Sequence, residues 1–299
     1  MQCGVLRQFA PHAGKPGAGL KRTRESPIIQ VANHARSPYQ AMDIFSILGL
    51  VVALGGVLGG MILEGGHVSS LLQVTAFMIV IVGSLGATMV ATLPSDMPFA
   101  MKALKKWALP GKYDFHGLME KILELANLAR REGLLALETY ANSGQGDPFL
   151  VKCLTLAIDG SSAEAIRETV EVDMHIAEED DKAGMKFWES WGALAPTVGV
   201  LGAVLGLMHV MSVLSQPELI GPGIAVAFVA TVYGVGFSNI VCLPMSFKLK
   251  RHIEHDQLLK NMVLEGVVGI QSGIAPGALR SKLKVYLGSH GGGAGDKKH

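Results

Sequence analysis

Apolar positions along the chain follow two patterns. Four runs are unbroken: Ile44 to Leu63, Leu71 to Leu93, Ala193 to Leu214 and Gly223 to Leu243, and none contains Asp, Glu, Lys or Arg. A helix needs about 20 apolar residues to cross a bilayer, so each run predicts a membrane span rather than a buried core helix. Elsewhere apolar residues return at helical spacing, as in Phe115, Leu118, Ile122, Leu125 and Ala129, which predicts an amphipathic helix. Ser161 followed by Glu164 reads as a capping box, and no proline follows until Pro196. That stretch predicts one long helix running from the cytosol into the third span, with Gly184 and Gly192 as places where it could bend. A similar helix is expected to leave the fourth span, with Leu249, Ile253, Met262 and Val263 on its apolar side.

The fold class that follows is all-α: a polytopic membrane protein with four transmembrane helices and a helical cytosolic domain inserted between spans 2 and 3. Residues 42–93 hold the first two spans, 94–192 the insertion, 193–247 the last two spans, 248–287 a cytosolic C-terminal helix and 288–299 a flexible tail. The insertion carries 17 acidic and 11 basic residues, a charge of −6. Residues 1–41, with Pro11, Pro16, Pro27 and Pro38, read as a disordered extension or as sequence upstream of a start at Met42.

Lysine and arginine near the span ends set the orientation. The loops Glu64 to Ser70 and Ser215 to Pro222 have none, whereas Lys102, Lys105, Lys106, Lys182, Lys186, Lys248, Lys250 and Arg251 lie on the other side. Both termini are therefore expected in the cytoplasm, with a bacterial inner membrane as the simplest setting. Composition agrees: 49% of residues are hydrophobic, 17% are charged, and the net charge is +1 with mean hydropathy +0.36. These values argue against a soluble enzyme, a disordered chain and a nucleic-acid binder. Cys3, Cys153 and Cys242 lie far apart, and no nucleophile–base pair, metal-ligand cluster or phosphate-binding loop is evident. No enzyme activity, cofactor or bound metal is expected.

Ion carriers usually hold ionisable groups inside their spans. Here His209 is the one candidate in mid-span, and its ordinary reading is an imidazole bonded to a neighbouring helix. With no intramembrane carboxylate, either the chain carries no ion or a second protein brings the carboxylate. Gly55/Gly59, Gly56/Gly60 and Gly202/Gly206 form GxxxG pairs, with Gly199 one turn earlier, which suits close helix packing on spans one and three. Pro196 and Pro244 stand near the cytosolic ends of spans three and four. Neither can donate to its i−4 carbonyl, Gly192 and Ile240 respectively. At matched depth they read as paired hinges. Thr231 is the main hydroxyl of span four, and membrane threonines ordinarily bond their own i−4 carbonyl.

Three motifs together resemble a family, the A subunit of the bacterial flagellar stator (MotA/PomA type), within the MotA/TolQ/ExbB superfamily. They are APTVGVLGAVLGLM (Ala195 to Met208), GIAVAFVATVYGVGFSNIVCLP (Gly223 to Pro244) and ARREGLLALE (Ala129 to Glu138). The resemblance runs from about Met42 to Leu287. It implies a ring of A subunits around a dimer of B subunits, each B subunit having one span with an aspartate and a peptidoglycan-binding domain. It also implies a cytosolic loop that pushes on the rotor's switch complex as ions pass, with lipid around the ring.

Carried over residue by residue, Arg130 and Glu138 match the family's rotor-contacting charges, with Arg131 beside them. Their separation puts Arg130 and Glu138 about two helical turns apart, roughly on one face. Pro196 and Pro244 match the two prolines of conformational coupling, and Thr231 matches a hydroxyl near the ion path. Ala203 stands where sodium-driven members carry threonine, which favours protons. Two alternatives remain open. An ExbB/TolQ-like energiser of outer-membrane processes is disfavoured because two spans, not one, precede the insertion. A non-conducting membrane scaffold would share the packing glycines.

Overall fold

The computed structural model describes residues 44–109, 113–144 and 146–288. The expectations for residues 1–41 and for the tail after 288 lie outside the described residues. The described fold is built from α1 (Ile44–Leu63), α2 (Val74–Ala91), α3 (Met97–Ala108), α4 (Phe115–Glu132), α5 (Pro148–Ile158), α6 (Ala163–Ser212), α7 (Pro217–Gln271) and α8 (Pro276–Gly288). No strand occurs among the described residues. Helices α1, α2, α6 and α7 are each long and apolar enough to cross a membrane, in agreement with the all-α, four-span reading.

Helix α6 is the single long helix expected from the proline-free stretch. Its cap is Ser162 rather than Ser161: the Ser162 hydroxyl accepts from the Ala165 amide at 3.2 Å, which satisfies one of the first-turn N–H groups. Ser161 instead closes the preceding turn, its amide bonding to the Leu156 carbonyl. Gly184 and Gly192 do not interrupt α6. Both mark close approaches, because a Cβ on Gly184 would collide with the Phe99 carbonyl, and one on Gly192 would stand 2.9 Å from the Cys242 Cβ.

Helix α7 starts at Pro217, six residues earlier than expected, and contains Pro222. A proline in the first turn loses nothing, because that N–H has no helical partner, and Pro222 removes one bond near the end. The connection between α6 and α7 is thereby only residues 213–216.

In the membrane part, α2 crosses both α6 and α7, whereas α1 stands largely apart. A Cβ on Gly55, Gly56, Gly59 or Gly60 would meet nothing within 4 Å. The span-one glycines therefore serve no packing within the described subunit, contrary to expectation. A link to its cytosolic end is the Lys248 ammonium, which donates to the Ser46 hydroxyl at 2.9 Å.

Two apolar cores lie on the cytosolic side. The outer core joins α4, α5, α8, the start of α6 and the end of α7 around Ile122, Leu154, Ile166, Met262, Val267 and Leu283. Burying each such side chain contributes about 1.5–3 kcal/mol. Of the four apolar residues expected on the α7 face, all are buried: Leu249, Ile253, Met262 and Val263. The inner core, nearer the membrane, packs α3 against Phe187, Trp188, Met245 and Leu249. Lys106 of α3 ties the two long helices together there, donating to Asp181 of α6 at 2.8 Å and to Asp256 of α7 at 2.5 Å. Burial alone would lower the Lys106 pKa, but these two carboxylates outweigh it and raise it.

Candidate functional site

The seam between α6 and α7 is built from residues without bulk. A Cβ on Gly206 would stand 3.0 Å from the Ala227 Cβ, and one on Gly202 would stand 2.9 Å from the Ala230 Cβ. Farther down, a Cβ on Gly234 would come 2.6 Å from the Ala195 carbonyl oxygen and 3.1 Å from the Gly199 and Pro196 Cα atoms. The helices thus meet backbone to backbone, the packing that small residues permit in lipid.

This register puts Ala203 and Thr231 at one level, each next to a residue of the Gly202–Ala230 contact and each partly accessible. The Thr231 hydroxyl donates to its own i−4 carbonyl, Ala227, at 3.3 Å. His209 departs from expectation: its side chain is exposed and makes no hydrogen bond among the described residues, although its ring carbon Cδ2 lies 3.8 Å from where a Cβ on Gly223 of α7 would stand.

The two prolines border one contact between α6 and α7. Pro196 leaves the buried Gly192 carbonyl without its helical donor. The Ser238 hydroxyl of α7 donates to that carbonyl at 2.6 Å, with Ser238 itself 2% exposed. Ser238 lies in a widened π-type turn, Phe237–Cys242, that ends just before Pro244. Such turns form where a normal helical bond cannot be kept. The prolines are not at matched depth. Pro196 faces Gly234, while Gly192 already faces Cys242 and Leu243, so Pro244 lies at least one helical turn nearer the cytosol. What coincides is the carbonyl freed by Pro196 and the turn preceding Pro244.

Aromatic residues flank this joint. Trp191 packs edge-on against Phe237 at 4.8 Å, and its indole N–H donates to the Ser84 hydroxyl of α2 at 3.0 Å. The Trp188 indole donates to the Ala100 carbonyl of α3 at 3.0 Å. Ser238 lies within the span-four motif but draws no role from it, and Trp188 and Trp191 lie outside the three motifs. A hydroxyl facing the i−4 carbonyl of a proline in the partner span was the available signal, and it becomes readable only once the register is known.

Arg130, Arg131 and Glu138 are all exposed, and none forms an ion pair among the described residues. Arg130 and Arg131 end α4. Helix α4 runs alongside α7 in the same direction, with Phe115 beside His255 and Ile122 beside Gly266, so its arginine end is the end away from the membrane. Arg130 and Glu138 do not share a helical face. Gly133, at φ +87°, ends α4, and a tight turn Leu134–Leu137 intervenes before the short helix Glu138–Ala141. Positive φ suits glycine, and it breaks the 3.6-residue spacing on which the one-face expectation rested.

Among the described residues no three His, Cys, Asp or Glu side chains gather to hold a metal. Burial pushes the Cys153 thiol up to about 12, so it is an inert core residue.

Comparison with known proteins covers both halves of the chain. The description "Motility protein A N-terminal" matches residues 47–133, and "MotA/TolQ/ExbB proton channel family" matches residues 141–262. Motility protein A of Helicobacter pylori is 35% identical over 246 residues, which is 82% of this chain and 95% of that protein. Among solved structures, that of C. jejuni MotAB aligns with a TM-score of 0.78 at 32% identity, covering 82% of this chain and 96% of that one. The flagellar MotAB stator complex from Bacillus subtilis aligns at 0.75 and 33%, covering 81% and 96%.

Proposed function

Because the chain belongs to the motility protein A family, within the MotA/TolQ/ExbB proton channels, we propose that it is the A subunit of a flagellar stator. Several copies ring a B-type partner that has one span and a peptidoglycan-binding domain. The assembly conducts ions through the inner membrane and turns their flow into torque on the rotor's switch complex. Both termini face the cytoplasm, a placement that the lysine and arginine distribution supports, and lipid covers the outward apolar faces.

The observation that carries this reading is the continuity of α6 and α7. Helix α6 has 50 residues and α7 spans Pro217–Gln271. At 1.5 Å per residue α6 is about 75 Å long, of which about 45 Å precedes Gly192 on the cytosolic side. Lys106 binds both helices below the joint, so they move as one lever. A displacement at the Pro196–Ser238–Pro244 joint is delivered to the outer core that bears Arg130, Arg131 and Glu138. Those unpaired charges are free to meet charges of the rotor.

The ion acts on a carboxylate that the partner supplies, since none of the four apolar runs holds an Asp or Glu. One charge crossing 100 mV releases about 2.3 kcal/mol. A sodium ion stripped of water needs several oxygen ligands, and at the Ala203–Thr231 level this chain offers one hydroxyl and one methyl group. A proton needs only the carboxylate and a hydrogen-bonded route. Proton drive follows.

The test is complementation. The chain and its B-type partner, expressed in a motile host lacking its own stator genes, should restore swimming, and the two should co-purify. Co-purification without swimming, with rotor and filament intact, would favour a scaffold. Swimming unrestored, with outer-membrane uptake restored in an energiser-deficient host, would favour the ExbB/TolQ reading.

A further inference from the structure

The Ser238–Gly192 hydrogen bond is the feature that the family motifs leave unassigned. The buried hydroxyls of α2 behave ordinarily: Ser84 bonds the Val80 carbonyl and Thr88 bonds the Ser84 carbonyl, each within its own helix. Ser238 reaches across to another helix 46 positions away. Three separate features make that reach possible. Pro196 withholds the donor that would otherwise occupy the Gly192 carbonyl. Gly192 lacks the Cβ that would stand 2.9 Å from the Cys242 Cβ and 3.1 Å from the Leu243 Cδ2 atom. The widened turn Phe237–Cys242 carries Ser238 to the seam.

Resting on the stator reading, we infer that Ser238 is a positioning residue, a latch that holds the proline joint in one of two arrangements. A serine in a helix has a second acceptor within reach of rotation about χ1, its own i−4 carbonyl, here that of Gly234. With the latch closed, the hydroxyl satisfies Gly192 and pins α6 to α7 at the joint. With it open, the hydroxyl turns back onto Gly234, and the two helices are free to slide or pivot at Pro196. The open arrangement keeps a hydroxyl bond but takes the donor away from the Gly192 carbonyl, so the closed arrangement is the resting one and a push from the ion-binding level above opens it. Without the hydroxyl, the Gly192 carbonyl is buried and unpaired in the closed arrangement. That shifts the ratio of the two arrangements by a factor of about 5–30.

The test uses the full chain with its B-type partner in a stator-less host, and the same complex purified. Ser238→Ala should assemble in normal amounts yet rotate a low-load bead about five-fold more slowly, and Ser238→Thr, which keeps the hydroxyl, should restore most of the speed. In the purified complex, Ser238→Ala should lower the melting temperature by about 2–4 °C. The same change made on top of Pro196→Ala should lower it little, because the substituted alanine then supplies the missing N–H to the Gly192 carbonyl. Full-speed rotation by Ser238→Ala would overturn the latch and leave the stator reading intact. An equal melting shift in both backgrounds would overturn the pairing with Pro196. Loss of co-purification in Ser238→Ala would move Ser238 to assembly and overturn a positioning role. If the unsubstituted chain drives no rotation, the stator reading falls, and the latch with it.

Discussion

Replacing Gly234 with alanine tests the seam on which the joint depends. The added Cβ would sit 2.6 Å from the Ala195 carbonyl oxygen, whereas carbon–oxygen contacts settle near 3.3–3.6 Å. The shortfall is about 0.7–1.0 Å. All three nearest atoms, the Ala195 oxygen and the Gly199 and Pro196 Cα atoms, are main chain, so no side chain can turn away and the helices must part. A gap of that size forfeits a quarter to a half of each local dispersion contact, roughly 0.1 kcal/mol or less per atom pair. Overpacking typically costs about 1–3 kcal/mol, and the better helix propensity of alanine returns about 1 kcal/mol. A net loss of up to about 2 kcal/mol is expected, in a lipid-embedded seam that has packing as its main source of cohesion. Gly59→Ala is the control, since nothing lies within 4 Å of its Cβ position. Melting of the purified complex, followed by intrinsic tryptophan fluorescence, should fall by several degrees for Gly234→Ala and hold steady or rise for Gly59→Ala. Equal stability of Gly234→Ala and the parent would refute the backbone-to-backbone register. So would greater damage from Gly59→Ala.

Further expectations concern the rotor face, the prolines and pH. The double reversal Arg130→Glu with Glu138→Lys should impair swimming at normal membrane levels, because single exposed pairs are worth only about 0–1 kcal/mol, and a compensating charge swap on the rotor should partly restore it; unimpaired swimming would remove these residues from rotor contact. Pro196→Ala and Pro244→Ala should each insert and bind the B-type partner yet lose torque, and a failed pull-down would assign them to assembly instead. His252 bonds the Tyr113 hydroxyl at 3.0 Å, and burial first, then the Lys248 charge, holds its pKa below the ordinary 6.5. A lowered folded value means that this contribution is full above about pH 6.5 and is lost as pH falls through the folded value. Melting should therefore fall on the acid side of pH 6.5, and His252→Asn should flatten that part of the profile; an unchanged slope would acquit His252.

The four spans were legible because each apolar run is free of charge, which no water-facing helix of that length sustains. Helix α6 was legible from a missing proline between Ser162 and Pro196. Its glycines were not, because Gly184 and Gly192 read as weak points until their neighbours are known, and both prove to be contact points. The charges proposed to meet the rotor were picked out through a motif, while their geometry was misread at Gly133, which the one-face reading passed through as helix although its φ is positive. The prolines were visible and their depths were not, since depth depends on which residues of α6 and α7 face one another, and the one-letter pattern does not encode that register. Ser238 stayed hidden for the same reason: its acceptor belongs to another helix, and is open only because of a proline four residues further along that helix.

The central claim is that this chain converts ion flow into rotation, and a bead on a flagellar stub reads that conversion directly. In a stator-less host, induced expression of the chain with its B-type partner should raise bead speed in discrete steps as stator complexes join the motor. At fixed pH the speed should persist when external sodium is replaced by potassium, and it should collapse within seconds of adding a protonophore. Speed that follows sodium and survives the protonophore would contradict proton drive, and a motionless bead with both proteins assembled in the membrane would contradict the stator account itself.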